Sequence, residues 1–166
     1  MSLPVPTAAL RVALFEPRIP PNTGNIARTC AAFQIALASI EPLGFSIDDR
    51  SLKRAGLEYW PHVQLSVHPD LQDLLRQQIK PARLIGCSRR GGANLGDFVF
   101  QQGDVLLFGR EDTGLPDPVR NECDSILTIP MPGGVDAEGQ GGVRSLNLSV
   151  ACALVTYTAG HQLKLW

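Results

Sequence analysis

A chain of 166 residues is the length of one domain, and its 44% hydrophobic and 19% charged composition excludes a disordered tail. Fifteen Lys and Arg against sixteen Asp and Glu leave a net charge of −1, so bulk positive charge does not mark a polybasic binder. Cys30, Cys87, Cys123 and Cys152 lie far apart with no CxxC spacing, and no apolar run is long enough to span a bilayer; a reducing cytoplasm with no membrane, disulfide framework or metal site is expected.

In chain order, residues 1–9 (MSLPVPTAA) read as a flexible N-terminus without the charged and apolar parts of a signal peptide, and residues 10–166 as a single domain. Arg11 to Glu16 (RVALFE) predicts a buried strand that leads into the loop PRIPPNTGN. Asn22 or Thr23 can cap the helix that follows, whose Ile26, Ala27, Cys30 and Ala31 fall on one apolar face before Leu37 to Glu41 resumes extended structure. Asp48 and Asp49 open a second predicted helix through Arg54, closed by Gly56. Val63 to Val67 is a weak strand, a helix runs from after Pro69 to about Ile79, and Leu84 to Cys87, Val105 to Phe108 and Ile126 to Ile129 are further strands. Leu146 to Leu163 predicts a long last helix. Five or six strands interleaved with helices predict one α/β domain with a mostly parallel sheet.

Charge is uneven along this order. Residues 1–100 hold 11 basic and 8 acidic side chains, and residues 101–166 hold 4 and 8, so the two parts carry +3 and −4. Twelve of the fifteen basic residues are Arg, which suits planar recognition of phosphate or carboxylate. An Arg-rich first hundred residues that face phosphate and an acidic last third that builds a pocket would be compatible with a net of −1.

Familiar catalytic motifs are missing: there is no GxGxxG, no GxxxxGK[ST] and no HExxH, and His62, His68 and His161 are scattered. Cys87 ends an apolar strand with no His near it in sequence and reads as a core thiol. Polar sequence collects instead just after strands, where parallel α/β sheets bind ligands. PPNTGNIAR places Asn22, Asn25 and Arg28 around a helix start, with Arg28 expected to return to the mouth of the loop. FGREDTGLP follows the strand VLLF, with Gly109 able to let backbone approach a ligand and Glu111 and Asp112 as acceptors or a solvated turn. IPMPGGVDAEGQGGVRSLNLS crowds Gly133, Gly134, Gly139, Gly141 and Gly142 before Ser145 and Asn147, which predicts a mobile loop.

PPNTGNIAR, FGREDTGLP, and IPM followed by SLNLS occur in the order and position of the three motifs of the SPOUT, or α/β-knot, methyltransferases, which the chain resembles over about residues 11–163. EPLGF at 41–45 and LKRAGLEYW at 52–60 are similar to the TrmL-type branch, which modifies the ribose of the tRNA wobble nucleotide. The resemblance implies a single parallel-sheet domain with a C-terminal trefoil knot, S-adenosylmethionine bound in the knot, and a homodimer with the tRNA site shared between subunits. It implies a cofactor pocket of Cys87, Gly109, Ile129, Met131, Ser145 and Leu146. It places Arg28 at the target ribose, with Asn22, Glu111, Ser145 and Asn147 shaping the reacting centre. Transfer of a methyl group to the 2′-oxygen of a wobble cytidine or uridine is the implied reaction. A guanidinium is always protonated, so Arg28 is expected to hold phosphate and stabilise charge on oxygen rather than act as a base. The stretch between Met131 and Ser145 is longer and richer in glycine than the pattern, and Arg110 and Asp112 receive no role. Arg18, Arg50, Lys53, Arg54, Arg89 and Arg90 are candidates for tRNA phosphate contacts. The alternatives are a noncatalytic RNA-binding homologue, a 2′-O-methyltransferase for another RNA, and an α/β enzyme using a different nucleotide cofactor.

Overall fold

Almost unbroken apolar runs of four to six residues become strands buried on both faces of one sheet. The computed structural model describes residues 9–46, 50, 54, 59–78, 82–134 and 138–166. Its strands are β1 (Leu10–Phe15), β2 (Ala36–Ile40), β3 (Leu65–His68), β4 (Leu84–Cys87), β5 (Ala93–Asn94), β6 (Asp104–Phe108) and β7 (Ser125–Thr128). They pair in the order β3-β2-β1-β6-β4-β7-β5, every neighbour parallel. Among the described residues the continuous α-helices are α1 (Pro20–Phe33), α2 (Leu71–Arg76), α3 (Asp117–Glu122) and α4 (Leu148–Gln162), and Arg50 and Arg54 are helical as well.

Alternation along each strand divides the core into two layers. Val12 and Leu14 of β1, with Leu106 and Phe108 of β6, face α1 and α4 and pack on Ile26, Cys30, Cys152 and Val155. Ala13, Phe15, Val105 and Leu107 face the opposite side, where Leu71, Leu74, Leu115 and Val119 close the second layer. After β7 the chain passes through residues 129–147 before α4 packs against α1, β1 and β6. Among the described residues no helix is long and apolar enough to cross a membrane, and no group of three or more His, Cys, Asp or Glu could hold a metal ion.

The parallel α/β class stands, with two strands more than the lower expectation; the additions are the two-residue β5 and the use of weak β3 as an edge. α1 begins at Pro20, with Ile19 as its N-cap residue, so neither Asn22 nor Thr23 caps it. Pro20 and Pro21 fill the first turn because proline lacks the N–H that would be orphaned there, and its fixed φ suits the helix. α2 stops at Arg76 after a start capped by Asp70, whose side chain accepts from the Asp73 amide at 2.7 Å; Ile79 lies outside the described residues. Short α3 has too few residues to show a period. The helix expected from Asp48 and Asp49 to Gly56, and with it Lys53, lies outside the described residues apart from Arg50 and Arg54.

One charge sits wholly inside this frame. Asp104, the first residue of β6, is fully buried and accepts from Arg83 Nε at 2.9 Å, Arg83 Nη2 at 2.8 Å and the Gln101 amide at 2.8 Å. The Phe98 ring lies 5.5 Å from the same guanidinium. Removing one member of such a pair leaves the other charge half-buried and unpaired. Asp104→Ala is expected to lower stability by about 3–5 kcal/mol in urea unfolding with an unchanged m-value, and Asp104→Asn by less, since it keeps an acceptor.

Candidate active site

The strand order first reverses between β1 and β6, where an open parallel sheet ordinarily takes its ligand. Here that crevice is filled by polar contacts between the two strand-end loops. Arg110 Nη2 donates to Glu16 Oε1 at 2.8 Å, and its guanidinium carbon lies 5.3 Å from the Phe15 ring centroid. Glu111 accepts from two consecutive amides, Arg18 N through Oε2 and Ile19 N through Oε1, each at 3.0 Å. Arg18 Nη1 donates to Asp112 Oδ2 at 3.0 Å. Three successive residues of one loop thus hold residues 16–19 of the other.

The middle contact supplies what the local sequence lacks. No side chain of α1 caps its own start. The Glu111 carboxylate instead occupies the positive end of the helix, a favourable place for an anion and an acceptor for the N–H groups leading into it. It comes from 92 residues away. The loop that carries it is closed by paired backbone bonds between Arg110 and Gly114, at 2.9 and 3.1 Å. A Cβ on Gly109 would stand 2.3 Å from the Gly114 carbonyl carbon and 2.4 Å from the Leu115 nitrogen, so glycine here serves closure of the loop itself. Only backbone fits.

The open pocket lies beside this contact, at the ends of β4, β6 and β7. Phe108, Leu127, Ile129, Leu146 and Val155 give it apolar walls, Ser88, Glu111, Thr113 and Ser145 add polar groups, and Arg89, Arg90 and Arg110 add positive charge. Burial pushes the Cys87 thiol well above its ordinary range, which leaves it a neutral wall rather than a nucleophile. Arg120 bonds Ser88 Oγ at 2.6 Å and the Arg90 carbonyl at 3.1 Å, fixing the β4 end. Nε of Arg110 is buried and has no hydrogen-bond partner among the described residues.

The glycine-rich stretch is partly tied down. The Val143 amide donates to Gly133 O at 2.9 Å, and a Cβ on Gly142 would meet that oxygen at 2.3 Å, so the two ends of the loop are pinned together. Residues 135–137 lie outside the described residues. Beyond the pinned end, Asn147 caps α4 by accepting from the Ser149 amide at 2.9 Å, while its Nδ2 donates to Asn22 Oδ1 at 3.0 Å. This joins the first turn of the first helix to the start of the last.

All six residues expected at the cofactor, Cys87, Gly109, Ile129, Met131, Ser145 and Leu146, line this single pocket. Of those expected at the reacting centre, Glu111 and Ser145 line it, and Asn22 meets Asn147 beside the α4 start. Arg28 does not return to the loop mouth. It is exposed on α1, outside the lining residues, with its guanidinium 4.7 Å from the Tyr59 ring centroid. Six helical positions separate it from Asn22, which turns it about 120° away and carries it roughly 9 Å along the axis. Arg18 and Arg90, expected at phosphates, have carboxylate partners in Asp112 and Asp117; Arg89 lines the pocket. Sequence reasoning passed over Glu16, gave Arg110 no role, and read Asp112 only as an acceptor or a solvated turn. The complementary order Glu-x-Arg at 16–18 and Arg-Glu-Asp at 110–112, each just after a strand, was the available signal.

A sequence model of the SpoU rRNA Methylase family matches residues 9–157. The chain is 39% identical over 154 residues to the tRNA (cytidine(34)-2′-O)-methyltransferase of Escherichia coli strain K12, covering 93% of this chain and 94% of that one. It is 41% identical over 152 residues to the enzyme of the same name from Polaromonas sp. strain JS666, covering 91% and 89%. A solved structure described as giving structural insights into the 2-OH methylation of C/U34 on tRNA aligns with a TM-score of 0.85 and 44% identity over 95% of this chain and 98% of the other. The SpoU methyltransferase AviRb from Streptomyces viridochromogenes, in complex with the cofactor AdoMet, aligns with a TM-score of 0.80 and 25% identity over 95% and 62%.

The double acceptor role of Glu111 is open to direct measurement. Glu111→Ala removes a charged cap and is expected to cost about 1–3 kcal/mol in denaturant unfolding, with Glu111→Gln recovering part through its remaining oxygen. Equal stability of all three proteins would show that the carboxylate does not hold α1.

Proposed function

The chain belongs to the SpoU rRNA Methylase family, and from that premise we propose that it transfers a methyl group from S-adenosylmethionine to the ribose 2′-oxygen of nucleotide 34, the wobble nucleotide, of tRNA. The observation that carries this is the convergence of six motif residues from four separate segments on one pocket at the strand ends. Its chemistry fits the cofactor. Apolar walls from Phe108, Leu127, Ile129 and Leu146 suit an adenine ring and a thioether chain, the neutral Cys87 thiol adds no charge, and Arg89 and Arg90 in the lining suit a carboxylate-bearing ligand.

Bound there, S-adenosylmethionine supplies a methyl group made electrophilic by the sulfonium. The protein's task is to hold the ribose oxygen in line with the methyl carbon and sulfur and to stabilise the negative charge left on that oxygen as its proton passes to a phosphate oxygen or water, the cofactor leaving as S-adenosylhomocysteine. Ser145 and Asn147 flank Leu146 between the pocket and Asn22, and we assign these polar groups to the ribose. We assign Arg28 to the RNA side, where its permanent charge holds a phosphate and stabilises the ribose oxygen.

A homodimer completes this arrangement. Val150, Leu154 and Tyr157 are 48%, 45% and 51% exposed and recur at i, i+4 and i+7 along α4, an apolar stripe that suits a second copy. Tyr157 continues it into the Phe33 and Trp166 rings, which stack with centroids 4.6 Å apart. Pairing of two copies through this stripe is the reading in which Arg28, outside its own chain's pocket, serves a site shared between subunits. Cytoplasmic placement accords with a tRNA substrate, and the family's trefoil knot with the passage of residues 129–147 ahead of α4.

Purified protein, labelled cofactor and unmodified bulk tRNA should yield 2′-O-methylated cytidine or uridine mapping to position 34; the absence of any 2′-O-methyl nucleoside overturns the proposal. Arg28→Ala is expected to abolish turnover while leaving the dissociation constant of S-adenosylhomocysteine within about twofold, and Arg28→Lys to recover little because a point charge does not reproduce a planar fork. A lysine variant with near-normal activity would show that charge alone suffices.

A further inference from the structure

Arg28 differs from Arg18, Arg90 and Arg110 in what holds it. Arg18, Arg90 and Arg110 each have a carboxylate partner, at 3.0, 3.4 and 2.8 Å. Arg28 has none among the described residues; its guanidinium carbon lies 4.7 Å from the centre of the Tyr59 ring. The two kinds of restraint have different consequences. A carboxylate neutralises the guanidinium and occupies part of its fork, whereas a ring face restrains the plane and leaves the N–H donors and the charge free for phosphate or oxyanion.

Tyr59 is itself fixed. Its carbonyl accepts from the His62 amide at 2.8 Å, and the Val63 amide donates to the Trp60 carbonyl at 3.1 Å, closing the tight turn Trp60–His62. That turn packs against α1, and the partly buried Trp60 side chain is anchored on the main core cluster. One aromatic residue of the Tyr-Trp pair is thus rooted in the core while its neighbour lies beside an exposed arginine on the helix. Among the described residues the Tyr59 hydroxyl makes no hydrogen bond.

We infer that Tyr59 is a positioning residue for methyl transfer, its ring holding the uncompensated Arg28 guanidinium ready for the tRNA backbone. This deepens the methyltransferase reading and rests on the role assigned there to Arg28. The relevant property is the aromatic face, so phenylalanine should replace tyrosine and an aliphatic side chain should not.

The test is steady-state methylation of unmodified bulk tRNA at saturating cofactor by full-length wild type, Tyr59→Phe and Tyr59→Leu, with Tyr59→Met as a second aliphatic variant should the leucine protein not fold. Thermal melting and S-adenosylhomocysteine calorimetry are run on each. Tyr59→Phe is expected within twofold of wild type, and Tyr59→Leu to lose about fivefold in kcat/KM for tRNA, the scale of an exposed cation–π contact, with cofactor-product affinity and melting unchanged. tRNA affinity by filter binding should fall in Tyr59→Leu and in Arg28→Ala but no further in the double variant, because the ring acts through the arginine. An inert wild type sinks the methyltransferase reading itself. With an active wild type, full kcat/KM in the aliphatic variants, a Phe variant as impaired as they are, or additive losses in the double variant overturn the inference alone.

Discussion

The Glu111 carboxylate at the start of α1 is the contact on which the arrangement of the site turns. α1 opens with two prolines and no internal cap, so its start has no local source of an acceptor. The acceptor comes from the loop after β6, and the flanking residues Arg110 and Asp112 reinforce it through Glu16 and Arg18. The loop is kept narrow enough to reach by Gly109, where any side chain would strike the backbone of Gly114 and Leu115. One face of that loop lines the pocket while the other carries the helix that bears Asn22 and Arg28. The pocket loop and the helix that bears Asn22 and Arg28 are therefore parts of one junction.

The same junction explains the uneven charge of the chain. The acidic last third does more than line a pocket: Glu111 and Asp112 are bound to residues 18 and 19 of the basic first part. Part of the opposing charge is consumed internally, and not every arginine of the first hundred residues is left for RNA. Arg28 lies over a ring and has no carboxylate partner among the described residues. With the β1–β6 crevice filled, the ligand pocket moves to the adjacent ends of β6, β4 and β7.

The central strands were legible because burial on both faces demands continuous apolar runs, and β4 falls on Leu84–Cys87 as read. The six pocket residues were legible as motifs, and the parallel sheet explains why motifs that follow different strands meet. What escaped the sequence depends on contacts across long separations. Nothing near Pro20 indicates that residue 111 will serve its helix start, so Asn22 and Thr23 were natural but mistaken caps. The Asn22–Asn147 bond spans 125 positions, and the Arg28–Tyr59 contact depends on a short turn with no periodicity to reveal it. Five glycines predicted a mobile loop, whereas Gly133 and Val143 pin its two ends together through backbone groups that composition does not report.

The central claim, that Glu111 makes the pocket loop and the start of α1 one mechanical unit, is tested most directly by amide hydrogen exchange at Arg18 and Ile19 with and without S-adenosylhomocysteine. Both amides should be protected in the wild-type protein and exchange more slowly still when the pocket is filled. In Glu111→Ala, protein that still binds S-adenosylhomocysteine should lose both the protection and the response. Unchanged protection and an unchanged response in that variant would contradict the account.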